Sequence, residues 1–197
     1  MTLFKDHKGV DKLFQGVQTR INARIRGLTE DQILGTAPAL IAGEAVTAEM
    51  LLAPTLDPSN YTLERTTGQI HYRVRVMGDS SLMNYVPTKG DKLTPKGDKP
   101  TPPEGMALAE INSPNGWVEV SFRVAAGTSA DDIEKEYRAW VSQTEEWLSW
   151  LRSDLADLQD KQISRITREL TRRQDAIRGE QALFDQLEAR RSAQGEQ

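Results

Sequence analysis

The side chains of this chain best placed to do chemistry are a row of cations and a group of tryptophans, both in its last third. Lys161, Arg165, Arg168 and Arg172 follow one another at spacings of four, three and four, which puts them on one face of a helix. Arg173 lies beside them, and Glu169 is the one acid among them. Such a row can neutralise the phosphates of a nucleic-acid backbone. It can also pair with acidic side chains, and the nine Asp/Glu of residues 129–160 favour that second use. Trp140, Trp147 and Trp150 bunch upstream, with Trp140 and Trp147 seven residues apart and so on one face. Packing of a helix root onto a sheet is the expected role of these indoles; a peptide-binding or base-stacking platform is the alternative.

Other constellations fall short of a reaction. The two histidines, His7 and His71, lie in a terminal segment and on the polar face of an expected strand, too few and too far apart for a metal pair. Asp131, Asp132, Glu134 and Glu136 cluster at a helix start, where carboxylates complement the helix dipole. Glu134-Lys135 matches the tail of a nuclease-type acid-x-Lys pair, but that chemistry needs adjacent strands and this Glu sits on a helix. No Gly-x-Ser-x-Gly elbow occurs. Gly90-Asp91-Lys92 and Gly97-Asp98-Lys99 lack the full phosphate-loop spacing and precede no helix. With no cysteine, disulfides, thiol nucleophiles and thiolate-held metals are excluded. The expectation is a chain that is not an enzyme and needs no cofactor or metal.

Composition fits a protruding helix. Hydrophobic residues are 38% and aromatics 6%, lean for a single compact core, and the net charge of -4 argues against a dedicated nucleic-acid binder. No apolar run approaches the ~20 residues that span a bilayer, and the first eight residues lack a signal-peptide core. A soluble cytoplasmic protein with no membrane contact is expected.

The elements that must carry these side chains change period along the chain. Residues 10–27 place Val10, Leu13, Phe14, Val17, Ile21 and Ile25 on one helical face. Thr29-Glu30-Asp31-Gln32 matches a capping box, opening a short helix that ends near Gly35. Another helix runs from about Pro38 to Leu52, with Pro54 and Pro58 closing the helical part. Gln69 to Met77 and Trp117 to Val124 then alternate apolar and polar, the mark of half-buried strands. Met106 to Ile111 is expected as a strand, joined to the one after it through the turn residues Asn112-Ser113-Pro114-Asn115-Gly116. Val86 to Pro103, with its twice-repeated Lys-Gly-Asp-Lys, reads as a loop. The predicted fold class is α+β: N-terminal helices packed on a small antiparallel sheet, then a long helical arm. The expected division is a recognition body over 1–128 and an arm over 129–197 for oligomerisation or docking.

The arm opens on Ser129 with Asp132 three residues on, contains no proline, and holds Gly179 as the one glycine before residue 195. One apolar stripe runs Ile133, Tyr137, Trp140, Val141, Trp147, Leu148, Leu151, Leu155 and Leu158. A second runs Ile163, Ile166, Leu170, Ile177, Phe184 and Leu187. The five-residue step between Leu158 and Ile163 reads as a stutter in one helix or as the turn of a helical hairpin. Residues 129–160 carry nine acids and three bases, residues 161–191 five acids and eight bases. That asymmetry favours an antiparallel pairing of the two halves, within the chain or between two chains. An unbroken helix would be about 95 Å long at ~1.5 Å per residue.

The order Ile25-Arg26-Gly27-Leu28-Thr29-Glu30-Asp31-Gln32-Ile33-Leu34, the strand end Val76-Met77-Gly78-Asp79-Ser80-Ser81-Leu82 with Tyr85-Val86-Pro87, and the arm segments Asp132-Ile133 to Glu136, Trp147 to Leu155 and Thr171 to Ile177 are similar to a known region. They resemble the uncharacterised regulatory region that precedes effector domains, restriction-endonuclease-like or TIR-type, in bacterial conflict and antiphage defence proteins. The resemblance covers roughly residues 20–190. This chain has Gln159-Asp160-Lys161-Gln162 where family members break the arm with an Asn-x-x-x-Pro-like segment, and an effector domain is expected to lie outside residues 1–197. The resemblance implies a sensing, scaffolding or inhibitory subunit whose effector lies outside this sequence. Partner contacts are then expected at Trp140, Trp147, Trp150, Arg165, Arg168, Arg172 and Arg173, with an effector or a second copy as partner and nucleic acid as the alternative.

Overall fold

The computed structural model describes residues 9–84, 111–112 and 116–195. The fold is α+β. Three N-terminal helices, α1 (Gly9–Arg26), α2 (Glu30–Gly35) and α3 (Pro38–Glu49), precede a sheet. Its strands are β1 (Thr55–Thr66), β2 (Gln69–Met77), β3 (Ile111–Asn112) and β4 (Trp117–Arg123), with a 3-10 turn at Ser80–Asn84. One helix, α4 (Ala130–Gly195), completes the chain. The chain forms two compact units: residues 1–16 with 51–157, and residues 17–50 with 158–197. The division falls inside α4, within two residues of the Gln159–Gln162 tetrad.

The first unit is built on the sheet, in the order β1-β2-β4-β3 with every pairing antiparallel. Alternation in β2 and β4 places Tyr72, Val74, Val76, Val118, Val120 and Phe122 on the buried face. The first half of α4 covers that face with Ile133, Tyr137, Trp140, Trp147, Leu148, Leu151 and Leu155, all buried. Tyr137 stacks on Tyr72 at 4.2 Å between ring centres, and its hydroxyl donates to the Pro58 carbonyl at 3.1 Å. Burial, with Tyr61, Tyr72 and Asp57 alongside, pushes the Tyr137 hydroxyl up to about 12. Glu145 accepts from the Leu56 backbone N–H at 3.1 Å, tying the helix to the start of β1.

β1 is absent from the sequence expectation, which ends the helical part at Pro54 and Pro58. Pro58 lies inside the strand, and the register with β2 shifts between Asp57 and Tyr61. The irregularity takes up Pro58, Ser59 and Asn60, and β1 has a free edge where a missing N–H breaks no ladder. With Pro and Asn at its bend, the strand has no alternation to read. The expected strand over Met106–Ile111 lies mostly outside the described residues, as does the loop Val86–Pro103. Ile111, the end of that expected strand, pairs antiparallel with β4 together with Asn112.

The second unit is helical. The α2 capping box forms as expected: Gln32 N–H donates to Thr29 Oγ1 at 3.3 Å and Thr29 N–H to Gln32 Oε1 at 3.0 Å. Val17, Ile21 and Ile25 of α1, Ile33 of α2, and Ile41, Ala42, Ala45 and Val46 of α3 are buried, with Ile166, Leu170 and Ile177 of α4. Leu40 of α3 is exposed.

The arm is one continuous 66-residue helix. Of the two forms expected for the slip at Gln159–Gln162, the stutter is the one observed, and no hairpin turn forms. The acidic and basic halves therefore succeed one another along a single helix, and the intrachain pairing expected from their charges does not occur. Each stripe serves its own unit, which is why the apolar register can slip without a break in the backbone. The helix start is capped as read: Asp132 N–H donates to Ser129 Oγ at 3.2 Å, while the Ser129 N–H and hydroxyl donate to the Asp132 carboxylate at 3.0 and 2.7 Å. Those hydrogen bonds from Ser129 hold the Asp132 carboxyl below its ordinary value.

Candidate functional site

The residues expected to meet a partner have different fates. Trp140 and Trp147 are buried in the first unit and are inaccessible to a ligand. Trp150, at 5.7 Å from Trp147, is half-buried. The indoles therefore serve the packing of helix on sheet, and the platform reading keeps one ring of three.

The cation row divides by what each side chain reaches. Arg165 is half-buried and donates to Asn22 Oδ1 of α1 at 2.9 Å, to Gln162 at 3.0 Å and to Glu169 at 3.4 Å. Arg173 is half-buried as well, and its two terminal nitrogens donate to the carbonyls of Ile25 and Leu28, each at 3.3 Å. These carbonyls belong to the C-terminal end of α1 and the residues after it, where acceptors lack intrahelical donors and the dipole favours a cation. Arg165 and Arg173 are thus clamps on α1. Arg168 and Arg172 remain exposed, one turn apart. Arg168 donates to the Ser164 carbonyl at 3.3 Å, and neither has a carboxylate partner among the described residues. All four arginines line one shallow groove with Glu169.

A distinct measurement separates clamp from free cation. Arg173→Ala should lower stability in urea by roughly 1–2 kcal/mol, because half-buried carbonyls lose their donors. Arg172→Ala should change it by less than about 0.5 kcal/mol. Equal losses for the two variants would refute the division.

Gln174 lies outside every sequence expectation. Its side chain is buried, and its amide donates to the Ile33 carbonyl and, at 3.1 Å, to that of Thr36, closing the end of α2. A polar residue beside the apolar stripe is the one sequence signal for it.

On the sheet's polar face, His71 is held by three neighbours. Thr66 Oγ1 is 2.7 Å from Nε2; Ser121 Oγ and Glu119 Oε1 are 2.7 and 3.1 Å from Nδ1. The hydroxyl–imidazole–carboxylate order is that of a nucleophile, base and orienting acid. Cross-strand neighbours supply it: Ser121 pairs directly with His71, while Glu119 and Thr66 are diagonal neighbours, paired with Arg73 and Gln69 two residues to either side. Glu119 is shared with Arg73 at 3.9 Å, which in turn lies 3.7 Å from Glu64. The cluster reads as a charge-balanced sheet face. Among the described residues, no group of three His, Cys, Asp or Glu is arranged to hold a metal ion, and no helix is long and apolar enough to cross a membrane.

The largest uncovered apolar surface on α4 lies at its end. Residues 178–193 are all exposed, and within them Leu183, Phe184 and Leu187 are 58%, 60% and 54% exposed. The second stripe thus continues past the last buried residue, Ile177, with nothing packed on it among the described residues. The sequence places Phe184 and Leu187 on that stripe without marking them as a site. Burial of the stripe upstream is what singles them out. No family model, no curated protein and no solved structure matches the chain.

Proposed function

We propose that this chain is a non-enzymatic regulatory or scaffolding subunit of a bacterial antiphage system, which controls a separate effector by assembling through the free end of α4. The observation that carries the reading is the exposed stripe Leu183, Phe184 and Leu187 on a length of helix, residues 178–193, that is exposed throughout. Exposed apolar residues grouped on one face mark interaction surfaces. The antiphage assignment rests on the resemblance read from the sequence over roughly residues 20–190. The test is co-expression with the protein encoded beside it. The full chain should change that protein's activity, and a full-length Leu183→Asp, Leu187→Asp variant of unchanged helicity should not. An effector indifferent to both chains would refute the reading.

A second reading has its own observation, the exposed pair Arg168 and Arg172. Under it, the chain binds nucleic acid along that edge. Affinity for duplex DNA would fall with salt, and Arg168→Ala with Arg172→Ala would lessen the log–log slope by about 0.9 for each phosphate no longer neutralised. An unchanged slope would reject it.

A further inference from the structure

We infer that the free end of α4 pairs with the same segment of a second copy, in antiparallel orientation, with Leu183 of each chain against Leu187 of the other. Leu183, Phe184 and Leu187 fall within an arc of about 100° at 3.6 residues per turn. Charges flank the apolar group at both ends, on that arc or within about 20° of it. Glu180 lies one turn before Leu183, and Arg190 and Arg191 lie one turn after Leu187. None of the three has an ion-pair partner among the described residues, and all are exposed.

The order acid, apolar, base selects the orientation. A two-fold axis at residue 185 sets Leu183 against Leu187 and Glu180 against Arg190, twice over. A parallel pairing sets Glu180 against Glu180 and arginine against arginine. An isologous contact also closes on itself, so assembly stops at two. Three apolar side chains per chain are far fewer than the ~20–30 residues a side of a stable interface. The pairing is therefore weak and reversible.

This deepens the regulatory reading by naming the partner, and it rests on that reading only for its biological purpose. Sedimentation of the full chain across a concentration series should show an apparent mass rising from one chain toward two. Leu183→Lys should abolish the rise with unchanged helicity, since the residue touches nothing that folding requires. Glu180→Arg alone should abolish it as well, and Glu180→Arg combined with Arg190→Glu and Arg191→Glu should restore it. Because the chain has no cysteine, orientation can be read by crosslinking. A mixture of Leu183→Cys and Leu187→Cys chains should form the disulfide-linked dimer several times more readily than either alone. A monomer at every concentration, a dimer indifferent to Leu183→Lys, or preferential crosslinking of Leu183→Cys with itself would each overturn the inference. A monomer that still controls an effector would sink the pairing and leave regulation standing; a dimer without effect on the effector would do the reverse.

Discussion

Trp140→Ala should cost the first unit about 3–5 kcal/mol, the range for deleting a buried aromatic side chain. Trp140 is 2% exposed and lies 6.2 Å from Tyr137, with the rings 21° from parallel. Tyr137 in turn stacks on Tyr72 of β2, so the indole stands behind the ring that joins helix to sheet. Its Nε1 has no acceptor among the described residues, which makes the loss one of packing and not of hydrogen bonding. Trp140→Phe should therefore recover most of the stability. Urea denaturation followed by tryptophan fluorescence and by circular dichroism measures both variants. A loss below about 1 kcal/mol for the alanine variant would mean that the aromatic tier does not hold α4 on the sheet.

The second large effect is expected at Gly78, just past β2. Its φ of +83° lies in the left-handed region, and an added Cβ would sit 2.6 Å from the Ala53 carbonyl oxygen. The approach is fixed from both sides. Asp79 N–H donates to the Leu52 carbonyl at 2.9 Å, and Leu52 N–H donates to Asp79 Oδ2 at 2.7 Å. Backbone cannot retreat as a side-chain tip would. Left-handed strain of about 1–2 kcal/mol adds to the clash, so Gly78→Ala should cost about 2–4 kcal/mol. Gly68, at φ +76° in the β1–β2 turn, is the control, because nothing lies within 4 Å of its added Cβ. Gly68→Ala should show the conformational part alone. Equal losses at the two glycines, by thermal or urea melts, would show that the contact with Ala53 contributes nothing.

Local chemistry is legible wherever it acts within a few residues. The Thr29–Gln32 and Ser129–Asp132 caps are recognised from four residues each, because donor and acceptor are neighbours in sequence. The alternation of β2 and β4 is readable because one face of each strand is buried and the other wet. β1 is not, because its bend at Pro58–Asn60 and its exposed residues leave no period. Gln174, Arg165 and Arg173 are not legible as clamps either. Their acceptors are backbone carbonyls and an amide of α1 and α2 more than 130 residues away, and carbonyls are the same in every sequence.

By itself, then, the sequence determined that the chain is α+β, where its caps and two main strands lie, and that its last third is helical without a proline to break it. It left the slip at Gln159–Gln162 open between a turn and a stutter, and the cation row open between phosphate contacts and pairing. The tertiary structure decided the first point, and for the second it showed which arginines are taken up by contacts within the fold. The helix runs unbroken through the slip because the first stripe and the second as far as Ile177 are buried in two different units, which removes any need to fold back. Arg165 and Arg173 are committed to α1, which leaves Arg168 and Arg172 exposed. Burial is a property of the assembled chain, and so is its absence at Leu183, Phe184 and Leu187, which read in sequence like any other turn of the stripe.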